Sequence, residues 1–264
     1  MTDAQSARSR QYDCCGIRHL AKMVEKNQEQ PPLVMAAETI TAIVARLENR
    51  YGVAQWKPGT DPVDELVACI LSQHTSDINS GRAFRDLKAA YAEWELVVQD
   101  TPENLAKVIW RGGLSNMKAP RIQAVLRRLK AEHGEYSLDA LYAMTDAEAR
   151  AYLMALPGVG PKTAAIVLCF AMGRNVMPVD THIFRVSWRL GLIQKKIGEA
   201  KAHDALQALV PPELTYRYHV AVITHGRQVC RAIGPKCKEC LVSELCGWYA
   251  SEHRTNNGEG PSNG

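Results

Sequence analysis

No stretch of the chain holds the roughly 18 consecutive apolar residues that a bilayer span needs, and the first thirty residues carry no apolar h-region. A membrane protein and a signal peptide are therefore not expected; a soluble, cytoplasmic protein is. No segment alternates apolar and polar residues between hairpin signals, which predicts an all-α fold. Strong charge is missing too: the formal net charge is only +4 over 264 residues, so composition by itself does not announce a nucleic-acid binder. The length suffices for one large or two modest domains.

What is present concentrates between Leu156 and Arg185. Thr145 and Glu148 make a capping box for a helix through about Ala155, Pro157-Gly158 stops it, and Gly160-Pro161 supplies the cap and first residue of the next helix. The product is two helices joined by a glycine hairpin. Gly158 and Gly160 flank Val159 and allow close backbone approach, and the free N–H groups at a helix start attract an anion such as a DNA phosphate. Lys162 falls in the first turn, where the helix dipole disfavours the ammonium form and favours an amine nucleophile. Asp180 follows at a distance from which a returning chain can bring its carboxylate near that lysine. Taken singly, Lys162 can equally be a solvated helix residue and Asp180 a plain N-cap for Thr181 to Leu190.

Cys230, Cys237, Cys240 and Cys246 are spaced C-x6-C-x2-C-x5-C. Four thiols this close in an intracellular chain indicate a metal site rather than disulfides. Zinc and a 4Fe-4S cluster both accept four cysteines, and the single C-x2-C, where a zinc ribbon has two, tilts the reading toward iron and sulfur. Cys69 and Cys169 sit in apolar helices and read as core packing. Between Leu105 and Ala131 lie Lys107, Arg111, Lys118, Arg121, Arg127, Arg128 and Lys130 and no acidic residue, which suggests a phosphate-contacting surface around the Gly112-Gly113 turn.

The hairpin Leu156 to Thr163, the Val179 to His182 segment and the cysteine spacing together resemble the helix-hairpin-helix DNA glycosylases of the endonuclease III type over residues 36 to 249. The resemblance implies two lobes: a six-helix barrel domain over 58–174, and an iron-sulfur cluster domain made of 33–57 and 175–249. Residues 1–32 are expected to be a flexible arm and 250–264 a disordered tail. It implies a 4Fe-4S cluster held by Cys230, Cys237, Cys240 and Cys246, with Arg231, Lys236 and Lys238 offering charge to phosphates. The expected partner is double-stranded DNA with damaged bases or abasic sites, bound by a monomer.

The implied activity is that of a bifunctional glycosylase and AP lyase for oxidised pyrimidines, with Lys162 as nucleophile and Asp180 as its carboxylate partner. Alternatives are a glycosylase for mismatched, deaminated or alkylated bases, and a lesion-sensing DNA-binding protein without turnover. Gly158, Val159 and Gly160 would contact DNA. His74 would fill the gap left by a flipped nucleotide, where the family usually has glutamine, and Leu114 would wedge into the base stack.

Overall fold

The computed structural model describes the backbone of residues 33–256 and the side chains of residues 36–252. The expected arm over 1–32 and the end of the expected tail, 257–264, lie outside the described residues. All regular elements among the described residues are helical.

The chain enters with α1 (Leu33–Tyr51), whose Ile40, Ile43, Val44 and Leu47 form one buried stripe. Asp61 caps α2 (Pro62–Ser72) by accepting from the Val63 and Asp64 amides, and Ser76 caps α3 (Asp77–Ala90). Then come α4 (Trp94–Gln99), α5 (Pro102–Val108) and α6 (Ser115–His133). The hairpin joins α7 (Asp146–Met154) to α8 (Pro161–Ile166). The rest of the chain forms α9 (Thr181–Leu190), α10 (Gly198–Leu209), α11 (Thr215–Gln228) and α12 (Gly247–Asn256).

Buried apolar side chains fall into two clusters. One runs from Val63 to Val176. The other takes the stripe of α1 and the residues from Met177 to Leu245. The chain therefore passes between them twice, through the α1–α2 connection and again between Val176 and Met177.

Several elements depart from uniform α-helix between clear caps. Helix α4 has no side-chain cap, which is why no start signal marks it in the sequence. The segment 102–112 forms the short α5 followed by a 3₁₀ turn at Trp110–Gly112, and the segment before α7 forms only a 3₁₀ turn at Asp139–Ala143. The helix that begins at Pro161 is α-helical only to Ile166 and widens into a π turn at Val167–Ala171. The Phe170 carbonyl, in the last turn where no intrahelical donor reaches it, accepts from the Trp56 indole at 2.7 Å. Finally, α12 continues to Asn256, into the stretch read as tail. Trp248 lies against Arg189, 4.5 Å from ring centroid to guanidinium, and the Tyr249 amide donates to the Cys246 sulfur, so the second cluster anchors the helix start.

Candidate active site and nucleic-acid interface

Lys162 and Asp180 reach the same cavity from opposite clusters. The capping box is formed: Glu148 accepts from the Thr145 amide at 2.8 Å while Thr145 accepts from the Glu148 amide. Gly158 takes a left-handed φ of 75°, and the Arg121 side chain crosses so closely over it that a Cβ would collide. Gly160 caps α8 with open space beside it, Pro161 begins the helix, and Lys162 is exposed in the first turn. Asp180 is only 7% exposed, and its Oδ1 accepts from the His182 and Ile183 amides at 2.8 and 2.7 Å. It is an N-cap, and it also lines the cavity that Lys162 lines.

That cavity, of about 300 Å³, opens at the seam between the two clusters. One wall is a stripe on α2, Glu65, Ala68, Cys69 and Ser72; the facing wall is a stripe on α3, Asp77, Ser80, Gly81 and Phe84. Both stripes follow the i, i+3, i+4, i+7 spacing of a single helix face. Sequence reasoning missed them, although small residues on neighbouring helices, Ala68 and Gly81, were a usable signal. It also missed His219. This imidazole lines the cavity from α11, is 4% exposed, bonds the Pro178 carbonyl through Nδ1 at 3.0 Å and meets Phe170 edge-on at 5.1 Å. Burial pushes its pKa down to about 4, so it stands there neutral. Arg227 of α11 pairs with Asp77 at 2.6 Å across the cavity mouth.

Beside the hairpin, two loops present side chains outward from strained backbone. His74 and Leu114 are the two non-glycine residues with positive φ among the described residues, at 54° and 50°. Both side chains are exposed. Left-handed backbone in non-glycine residues is uncommon and clusters where structure over-determines it for function. Gln73 is not free for the same use: Arg121 donates to its Oε1 at 2.9 Å and its Nε2 donates to the Gly158 carbonyl at 3.0 Å.

The basic segment expected to be a phosphate surface is largely committed elsewhere. Lys118 is 1% exposed and donates to the Leu71 and Gly112 carbonyls at 2.7 and 2.8 Å, joining the two outward loops from beneath. Arg111 pairs with Asp86, Arg128 with Glu132, and Arg127 reaches the Val98 carbonyl. Proximity in sequence had grouped charges that the helix distributes over different faces.

The four cysteines line a second cavity, walled also by Arg189, His225 and Trp248. Arg189 donates to the Cys230 sulfur at 3.4 Å and to the Arg231 and Ala232 carbonyls, His225 Nε2 lies 3.4 Å from the Cys240 sulfur, and Arg185 holds the Cys230 carbonyl. Among the described residues no three His, Cys, Asp or Glu side chains are set to hold one metal ion. Arg231, Lys236 and Lys238 are exposed on this loop, Arg231 bonding the Gly234 carbonyl and Lys236 lying 3.8 Å from Glu239. Cys69 and Cys169 are buried away from this cavity.

Comparison with known proteins agrees with this arrangement. A family model described as HhH-GPD superfamily base excision DNA repair protein matches residues 67–212. Endonuclease III of Thermotoga maritima is 33% identical over 190 residues, covering 72% of this chain and 84% of that protein. An Arabidopsis thaliana relative is 36% identical over 194 residues, covering 71% of this chain and 66% of that protein. The structure of a non-covalent endonuclease III–DNA complex aligns with a TM-score of 0.70 at 26% identity, covering 83% of this chain and 98% of that one. With a helix-hairpin-helix between two helical clusters and a matching fold across its described length, this chain belongs to the HhH-GPD superfamily of base excision DNA repair proteins.

Proposed function

We propose that the chain is a bifunctional DNA glycosylase and AP lyase that removes oxidised pyrimidines from double-stranded DNA. The observation that carries the reading is the meeting of Lys162 and Asp180 in one cavity at the seam between the clusters. A pure DNA binder has no use for a nucleophile and a buried carboxylate so placed.

The barrel lobe, over 58–174, and the second lobe, from 33–57 and 175–249, flank the DNA. Gly158, Val159 and Gly160 let the hairpin backbone approach a phosphate. The damaged nucleotide is extruded into the cavity, at a cost of a few kcal/mol that is smaller for a damaged pair. His74 and Leu114, already held outward, occupy the vacated stack. The Lys162 amine attacks C1′; the C1′–N bond breaks and the base departs with its electron pair, taking up a proton. Ring opening at O4′ leaves an iminium between Lys162 and C1′. Loss of a proton from C2′ then expels the 3′ phosphate, which cuts the strand by β-elimination. Asp180 takes a proton from the Lys162 ammonium so that the free amine can attack, the proton that the nitrogen loses after attack passes to O4′ as the ring opens, and the carboxylate offsets positive charge developing on the sugar.

Cys230, Cys237, Cys240 and Cys246 would hold a 4Fe-4S cluster, and the donor set fits: four cysteines lining one cavity, with the Arg189 guanidinium beside Cys230 to offset thiolate charge. When bound, the cluster supplies a structural pin for the loop that carries Arg231, Lys236 and Lys238.

Borohydride trapping on a thymine glycol duplex tests the proposal. Wild type should give a covalent adduct that disappears in Lys162→Ala and weakens in Asp180→Asn. Trapping on an abasic-site duplex alone would mean a working lyase with another base preference, and silence on both duplexes would leave a non-catalytic DNA-binding protein.

A further inference from the structure

The cavity contains three carboxylates besides its lysine, and two of them are committed. Asp180 caps α9 through Oδ1, and Asp77 pairs with Arg227. Glu65 is the third. Its side-chain contact is the Cys69 thiol, one helical turn along α2, at 3.7 Å from Oε1. Most of its hydrogen-bonding capacity is therefore open to whatever enters the cavity. Around it the α2 and α3 stripes offer small, apolar or hydroxyl side chains: Ala68, Ser72, Gly81 and Phe84. Such walls suit a flat heterocycle, and they supply little else to tell one base from another.

We propose that Glu65 selects the base: its carboxylate accepts a hydrogen bond from the exocyclic amino group of a flipped-out, cytosine-type oxidised pyrimidine, in preference to the carbonyl-bearing counterpart. The inference rests on the glycosylase reading above. A carboxylate is an acceptor only. The 4-position of a cytosine-type base presents an N–H donor, and that of a uracil-type base presents a carbonyl oxygen, a second acceptor. Facing the first, Glu65 forms a charge-assisted hydrogen bond; facing the second, it meets like partial charge in a half-buried site. Burial raises the Glu65 pKa, with the Cys69 thiol as a weaker opposing donor, which shows that its charge is short of partners. An amino group from the base relieves that shortage. Lys162 cannot take this place, because its amine is engaged at C1′.

The matched substrates are duplexes containing 5-hydroxycytosine or 5-hydroxyuracil at one position, which differ at the 4-substituent and the adjoining ring nitrogen. Single-turnover base release by the full-length, cluster-loaded protein should favour 5-hydroxycytosine by about 10-fold or more, the scale of one hydrogen bond to a charged group. Glu65→Leu should bring the ratio close to one. If that variant fails to fold, Glu65→Gln serves, because an amide offers both donor and acceptor and should likewise lose the discrimination. Equal rates in wild type, a preference for 5-hydroxyuracil, or an unchanged ratio in a folded Glu65 variant would overturn the assignment. An abasic-site duplex run in parallel separates the two levels: no trapping there sinks the glycosylase-lyase reading and this inference with it, whereas trapping without base preference sinks only the role of Glu65.

Discussion

Lys118 lies in the interior because two carbonyls meet it there. Its ammonium satisfies Leu71 and Gly112, the last residues before the two loops that carry His74 and Leu114. Lys118→Met would leave both carbonyls without that donor and should lower stability by about 1–3 kcal/mol, measured by urea unfolding; an unchanged midpoint would refute the clamp. His74 makes the opposite case, a surface residue with built-in strain. His74→Gly relieves its positive φ and should stabilise the fold by up to about 1 kcal/mol while weakening affinity for an abasic duplex. A variant that is stabilised and binds as well as wild type would remove His74 from the DNA interface. His219 gives a pH signature. Its pKa falls from the ordinary 6.5 to about 4 through burial, so stability is complete above pH 6.5 and drains away as pH falls toward 4. Melting temperatures across that window should drop in wild type and drop less in His219→Gln; parallel curves would contradict the assignment. None of these roles is written in residue type. The sequence shows a lysine and two histidines; whether each faces solvent, a carbonyl or a cavity depends on chain segments far away.

At the scale of elements, the signals that survive are those with local physics. The Thr145–Glu148 box and the Gly160-Pro161 start are complete within four residues and appear as read, and the Asp61 and Ser76 caps are local signals of the same kind. Thr145→Ala should cost about 1 kcal/mol in thermal or urea unfolding and leave DNA affinity unaltered, since the cap lies one helix away from the hairpin turn. A large loss of affinity would mean that α7 transmits its capping to the hairpin. Helix α8 shows the limit of local signals. Its apolar run reads as a continuous helix, but the last turn widens so that the Met172 amide closes on the Val167 carbonyl, and the Trp56 indole, distant in sequence, satisfies the Phe170 carbonyl at the helix end. The same limit hides the cavity that Lys162 and Asp180 line. Its two stripes are each visible as helical spacing, while their facing each other requires the α2–α3 turn to fold back, and only the packed hairpin establishes that.

For the whole molecule, the cysteine loop and the seam between the clusters set the remaining expectation. Cys237→Ser should bleach a broad absorbance toward the blue and weaken DNA binding, because a loop carrying Arg231, Lys236 and Lys238 would lose its pin; a colourless wild type holding one zinc would reject the cluster. The sequence by itself determined the all-helical class, the hairpin, the lysine and aspartate, and the four-cysteine loop. These rest on spacings of a few residues, where backbone geometry and side-chain chemistry act over one or two turns. Only the tertiary structure decided that Asp180 both caps α9 and lines the cavity that Lys162 lines, that Lys118 is a clamp holding two loop carbonyls, and that Glu65 is the carboxylate left open in that cavity. Those facts depend on which segments pack together, and packing is a property of the whole buried surface that no short stretch of chain encodes alone.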